Sequence, residues 1–305
     1  MKEIMLAVSR NVAVVAVFFG VFAPGAEADL NNVKKVAVDT PTHEVLAVPV
    51  RITTSEAGVE TGRGSGFFYH IGDKLFVITN RHIVISEERD SFPDTIFLNL
   101  HVDPKDLTKN EEYVLKLYDG EGKAIWLEHP VYGARADVVA VPIEYNDIKS
   151  RFVIKAFSPD NHIPKDVFVP IGADVLVLGY PLGIYDTVNN LPIARNAVIA
   201  SAYDIPFEGA PYFLIDSWLH VGSSGSPVIT KASTLIPKKN GSVSMFNIPQ
   251  TYLVGIHSHS YCLVKTKEEK ENEETESNEN EREKELIGLN VVWFASLIPE
   301  IISGN

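Results

Sequence analysis

From Val36 onward, short apolar or alternating runs are separated by turn residues. Strands are expected at Leu46–Ile52, Ser65–Tyr69, Lys74–Thr79, Thr95–His101, Val138–Ile143, Asp174–Leu178 and Tyr252–Ile256. Some of these alternate apolar with polar positions and others are apolar throughout. Val, Ile, Phe and Tyr dominate them, the residue types that suit a pleated and at least half-buried surface. Long stretches with a 3.6-residue period are missing, apart from a short terminal helix expected near Ala295–Ile302. Many short strands with turns between them point to a sandwich or a barrel. Pro159–Asp166 reads as a linker between halves of similar size, and Asn240-Gly241 as a tight hairpin turn.

Two segments break this pattern. At the start, Lys2 and Arg10 precede a twelve-residue apolar run from Val12 to Ala23, which ends in Pro24-Gly25 and Ala26-Glu27-Ala28. As a helix that run spans about 18 Å, short of a ~30 Å bilayer core. A short apolar run closed by a small-residue motif is the pattern of a cleaved export signal, expected here over residues 1–28. The rest is expected to lie outside the membrane, in a periplasm or the medium. The second segment, Lys265–Glu285, holds ten acids, five bases and no apolar residue. It cannot bury enough surface to offset its ordering entropy, so a disordered acidic loop is expected over 265–285.

Composition narrows the function. The 305 residues are 45% hydrophobic and 22% charged, which is ordinary for a globular chain. A net charge of −13 excludes a nucleic-acid partner, because phosphate binding needs clustered cations. Cys262 is the one cysteine, so neither an internal disulfide nor a cysteine-based zinc site can form. His257 and His259 lie two apart but have no acid pair beside them, and no metal or cofactor is expected.

Three short motifs carry chemistry. In Gly222-Ser223-Ser224-Gly225-Ser226-Pro227 the glycines allow a sharp turn that exposes a serine hydroxyl. The same turn can aim the N–H groups of Gly222 and Ser224 at one point, where they would stabilise an oxyanion. A serine hydroxyl needs a base at neutral pH, and His82 follows the strand Leu75–Thr79 directly. Asp137 opens the apolar run Asp137-Val138-Val139-Ala140-Val141; a buried carboxylate there can fix an imidazole tautomer. Taken singly, each has a structural explanation as a loop, a surface histidine or a strand cap. Their order, with gaps of 55 and 87 residues, favours a common site.

With Gly64-Ser65-Gly66-Phe67-Phe68, Gly179-Tyr180-Pro181-Leu182-Gly183 and Leu253-Val254-Gly255-Ile256-His257 added, the chain resembles chymotrypsin-fold serine endopeptidases. It is most similar to the bacterial trypsin-like peptidase domains, a group that includes Deg/HtrA-type proteases and glutamyl endopeptidases. The resemblance covers roughly residues 41–300. It implies an all-β fold of two antiparallel six-stranded barrels, over 41–157 and 166–303, with the active site in the cleft between them. It also implies His82 as general base, Asp137 as its orienting partner, Ser224 as nucleophile, Gly222 and Ser224 as oxyanion donors, and a polypeptide substrate.

Departures from the family pattern shape the remaining expectations. Ser223 stands where members activated by propeptide cleavage carry an aspartate, so that activation route is not expected, and no PDZ-like region is expected beyond the second barrel. Trp218 holds the place of trypsin's selecting acid, which argues against a Lys or Arg preference. His257 is similar to the histidine with which glutamyl endopeptidases bind an acidic side chain, but Leu219 replaces their accompanying hydroxyl residue. The resulting expectation is a secreted serine endopeptidase working through an acyl-enzyme. The alternatives are a silent peptide-binding protein of the same fold and an esterase using the same three residues.

Overall fold

The computed structural model describes residues 35–87, 91–264 and 284–304. The expected export signal and residues 265–283 of the expected acidic loop lie outside the described residues. Among the described residues, no helix is long and apolar enough to cross a membrane.

Fourteen strands and four short helices are assigned among the described residues. The first antiparallel sheet contains β1 (Pro49–Glu56), β2 (Val59–Ile71), β3 (Lys74–Thr79), β4 (Thr95–His101), β5 (Asn110–Lys116) and β6 (Val139–Ile143). Its order is β5-β4-β1-β2-β3-β6, and the ladder is not closed between β5 and β6. The second closes into a barrel, β10-β13-β14-β9-β8-β7. Its strands are β7 (Asp174–Gly179), β8 (Ile193–Ile199), β9 (Tyr212–Asp216), β10 (Pro227–Thr230), β13 (Leu253–Val264) and β14 (Lys284–Phe294). A separate hairpin joins β11 (Ser233–Pro237) to β12 (Val243–Gln250), turning at Gly241 with φ +83° as the Asn-Gly pair predicts. This is the expected two-barrel, chymotrypsin-like fold, with the first barrel's ladder incomplete.

The wholly apolar strands are explained by what lies on each side of them. In β3, Leu75 and Val77 point into the first barrel, whereas Phe76 and Ile78 face a cluster shared with the second. In β6, Val139 and Val141 face inward while Ala140 joins the shared cluster. From the other side that cluster receives Leu178, Ile229, Leu253, Ile256 and Trp293. Each large side chain withdrawn from water contributes about 1.5–3 kcal/mol. A strand with two dry faces therefore has no position to spare for a polar residue. The terminal helix, Leu297–Ser303, seals the shared cluster with Leu297, Ile298 and Ile301. Its Glu300 accepts a hydrogen bond from His129 Nε2 at 3.0 Å.

Two expected boundaries are corrected. The strand expected over Leu46–Ile52 begins at Pro49 and runs to Glu56, because Leu46 closes helix α1 (Pro41–Leu46). Thr40 caps that helix by accepting the His43 N–H at 3.1 Å, and Pro41 sits in its first turn, where no N–H is needed. Lys284 and Glu285, expected in the acidic loop, belong to β14 and pair with Val264 and Leu263. Ladder pairing with β13 carries this strand past its apolar part. Within the expected linker, Pro159–Asn161 forms a 3₁₀ turn that Ser158 and Asn161 close reciprocally.

Candidate active site

Strand pairing assembles the first half of the site. Thr79 at the end of β3 pairs with Val139 at the start of β6. The residue just ahead of one strand and those just beyond the other are therefore neighbours. Asp137 precedes β6, and His82 sits in the single turn α2 (Arg81–Val84). One Asp137 carboxylate oxygen accepts the His82 backbone N–H at 2.9 Å, and the other accepts Nδ1–H at 2.7 Å. Asn80 Nδ2 donates to the Asp137 carbonyl at 2.6 Å and holds the loop in register. With its proton on Nδ1, the ring keeps a free lone pair on Nε2. Both side chains are about one-fifth exposed, at 21% and 19%. Burial opposes ionisation of Asp137, but the His82 ring, the Ser258 hydroxyl and the His82 N–H outweigh it and hold the carboxyl below its ordinary pKa.

The second barrel supplies the other half. Antiparallel pairing of Pro227 with Ile256 sets the turn before β10 against β13. Gly225 N–H donates to the His257 carbonyl and His257 N–H to the Ser226 carbonyl, both at 2.9 Å. Ser258 thereby reaches the first barrel, and its Oγ donates to Asp137 at 2.5 Å. That uses its single proton, so in the 2.7 Å contact with His259 Nδ1 the ring must donate. Ser224 Oγ donates to the Ser258 carbonyl at 2.8 Å and makes no hydrogen bond to His82.

Glycine is required twice in this turn. Gly222 has φ +94°, and a Cβ there would lie 2.5 Å from the Tyr180 carbonyl oxygen. Gly225 has φ +83°, and a Cβ would lie 2.0 Å from the Ser65 carbonyl oxygen. Side chains are excluded on conformation and on space alike. Among the described residues, the N–H groups of Gly222 and Ser224 have no hydrogen-bond partner.

The three residues expected around a specificity pocket are placed differently from one another. Trp218 is 63% exposed, and its carbonyl accepts Arg195 Nη2 at 2.6 Å. Leu219 is half-buried against the second barrel's interior cluster. His257 is only 3% exposed and donates Nδ1–H to the Ser223 carbonyl at 2.9 Å. Burial is the main cause that lowers its pKa to about 4, against the Ser223 carbonyl and Asn290, which favour the charged form. The ring is neutral at pH 7, so the charge-assisted grip on a carboxylate that an imidazolium offers is missing. Two contributors were not legible beforehand as site residues. Ser258 gives a hydroxyl to Asp137, and Ser65 reaches across from the first barrel to the Ser224 turn. The adjacency of Ser258 to His257 was the one available signal for the former, and only register gives it meaning.

The family model of the trypsin-like peptidase domain matches residues 64–236, more than half of the 305. That match takes in His82, Asp137 and Ser224. Among curated proteins, none matches the sequence. Solved structures similar to the chain include Rv3671c from M. tuberculosis H37Rv, in the inactive form of a serine-to-alanine mutant. That likeness has 14% identity over 89% of this chain and 94% of that one, with a TM-score of 0.43. A second is the serine endoprotease from Yersinia pestis, at 14% identity and a TM-score of 0.44, over 85% of this chain and 62% of that one. With most of the chain's sheet residues inside the matched region, the protein belongs to the trypsin-like peptidase domain family, a family of serine-type peptidases.

Proposed function

We propose that this protein is an exported serine endopeptidase that hydrolyses peptide bonds through His82, Asp137 and Ser224. The observation that carries the reading is the carboxylate of Asp137 holding His82 by two hydrogen bonds, with Ser224 joined to the same carboxylate through Ser258. Export rests on the sequence pattern of residues 1–28 alone.

In this reading the Ser224 hydroxyl turns from the Ser258 carbonyl towards His82 Nε2. His82 accepts its proton as the oxygen attacks the substrate carbonyl. The oxyanion that forms is received by the unpartnered N–H groups of Gly222 and Ser224, each worth about 3–4 kcal/mol in comparable sites. Asp137 stabilises the imidazolium, which then protonates the departing amine. Water hydrolyses the Ser224 ester with His82 as base, and the free hydroxyl returns. A neutral, buried His257 does not favour an anionic side chain in the substrate, so the acidic preference suggested by resemblance is not carried into this proposal.

The test is labelling of the purified protein with a fluorophosphonate, followed by mass mapping of the adduct. A stoichiometric adduct on Ser224, lost in Ser224→Ala and slowed strongly in His82→Ala, is expected. Correctly folded protein that takes no label would refute the assignment.

A further inference from the structure

The N–H groups of Gly222 and Ser224 belong to the peptide units Val221–Gly222 and Ser223–Ser224. In a trans peptide the N–H points away from the carbonyl of the preceding residue. Whatever grips the carbonyls of this turn from behind therefore aims its N–H groups in front. All four carbonyls from Val221 to Ser224 are gripped from outside the turn. The Val221 carbonyl accepts Leu182 N–H at 2.6 Å, and the Ser224 carbonyl accepts Ser65 N–H at 2.8 Å. Side chains reach the other two: Ser65 Oγ donates to Gly222 at 2.7 Å, and His257 Nδ1 to Ser223 at 2.9 Å, where the Ser226 N–H also donates at 3.1 Å.

We propose that Ser65 and His257 are positioning residues for the nucleophile turn, a two-sided clamp in which His257 orients the amide of Ser224 towards the developing oxyanion and Ser65 fixes the peptide unit Gly222–Ser223 between the two donors. The inference rests on the peptidase reading above. The His257 bond acts on the peptide unit that carries the Ser224 N–H. The Ser65 bond acts on the carbonyl of Gly222, between the two donors.

Ser65 is set up for this task. It is fully buried in β2, and its hydroxyl donates to Gly222 while accepting the Tyr180 N–H at 3.0 Å. Its own carbonyl is fixed by Thr79 Oγ1 at 2.8 Å. A Cβ on Gly179 would come within 2.8 Å of the hydroxyl, so a glycine keeps the space open. His257 is equally constrained. Its backbone N–H and carbonyl bind Ser226 and Gly225, and Nδ1 then faces the Ser223 carbonyl on the same turn. Because the ring stays neutral down to about pH 4, the Nδ1 proton can remain in place as a simple donor across the neutral range. On this reading His257 serves the turn rather than selecting a side chain.

The test compares wild type with Ser65→Ala, His257→Leu and His257→Asn, the last keeping an amide N–H near the position of Nδ1. The rate of fluorophosphonate attack on Ser224 depends on oxyanion stabilisation. It is expected to fall about 10- to 100-fold in Ser65→Ala and His257→Leu, less than the 10²–10³-fold loss when a donor is removed outright. For a cleaved peptide the loss should fall on kcat, with KM within about threefold of wild type. His257→Asn should recover much of the loss. A purely structural role would instead lower thermal stability and leave kcat per folded molecule unchanged. Labelling of both Ser65→Ala and His257→Leu at the wild-type rate would overturn the clamp while leaving the peptidase reading intact. An unlabelled wild type would overturn both. If His257→Leu fails to fold, Ser65→Ala, which removes one oxygen atom, decides the matter.

Discussion

The burial of His257 makes a prediction about acid stability. Its imidazole is 3% exposed and its pKa falls from 6.5 to about 4, with burial as the leading cause. The neighbouring His259 and His82 also disfavour its charged form. The native protein keeps this ring neutral, while the unfolded chain protonates it near pH 6.5. Below that value the unfolded state binds more protons, so stability falls with pH. The contribution is fully present above about pH 6.5, declines through the interval down to about pH 4, and is constant below that. Two to three pKa units correspond to roughly 3 kcal/mol lost across the interval. The assay is urea unfolding between pH 7.5 and 4.5, carried out in a Ser224→Ala background to avoid self-cleavage. His257→Asn is compared with His257. The variant should be less stable at pH 7.5, because a cavity replaces part of the ring, but its stability should fall less steeply with pH. The difference between the two curves isolates His257 from the other titrating groups. His162, whose pKa is also lowered to about 4 by burial, contributes equally to both. Parallel curves would refute the reasoning.

Two further outcomes follow from the same geometry. Ser258→Ala removes a donor to the Asp137 carboxylate, which then pulls harder on the His82 proton. As for the loss of a hydrogen bond to a charged group, kcat should drop about tenfold; an unchanged kcat would exclude a role for this hydroxyl. Gly225→Ala forces a Cβ to within 2.0 Å of the Ser65 carbonyl oxygen at φ +83°. Strain and overlap together should cost about 3 kcal/mol, seen as a fall in Tm of about 10 °C. A variant as stable as wild type would show that the turn can shift.

The parts of the fold legible in the sequence are those where burial acts on one or both faces of a strand. Lys74–Thr79 and Thr95–His101 appear with their expected ends, and β6 and β7 differ from expectation by one residue. The strands that escaped notice have little apolar content, because their neighbours in the ladder rather than their own side chains hold them. In β5, Asn110–Lys116, only Leu115 is buried. The strand exists because Thr95–His101 offers it a paired edge over seven residues. Nearly every residue of β12 is exposed, and its cross-strand partner β11 accounts for it. Apolar periodicity records burial, and backbone pairing leaves almost no mark on it.

The same distinction separates the parts of the site. His82, Asp137 and Ser224 can be singled out from the sequence because serine chemistry demands a base and an orienting acid, and each stands beside a recognisable strand or turn. Ser65 and Ser258 carry no such mark in the sequence, since the atoms that matter engage partners 157 and 121 residues away. Nothing local distinguishes them from other serines in β-rich segments. For His257, residue type alone leaves a side-chain receptor and a structural histidine both open. An unattached histidine near a nucleophile suggests a side-chain receptor, and resemblance strengthened that idea. With its backbone paired to Gly225 and Ser226, Nδ1 faces the Ser223 carbonyl, and burial then keeps the ring neutral. Register thus fixes the partner, the partner fixes the tautomer, and the tautomer decides between holding a peptide plane and gripping a carboxylate.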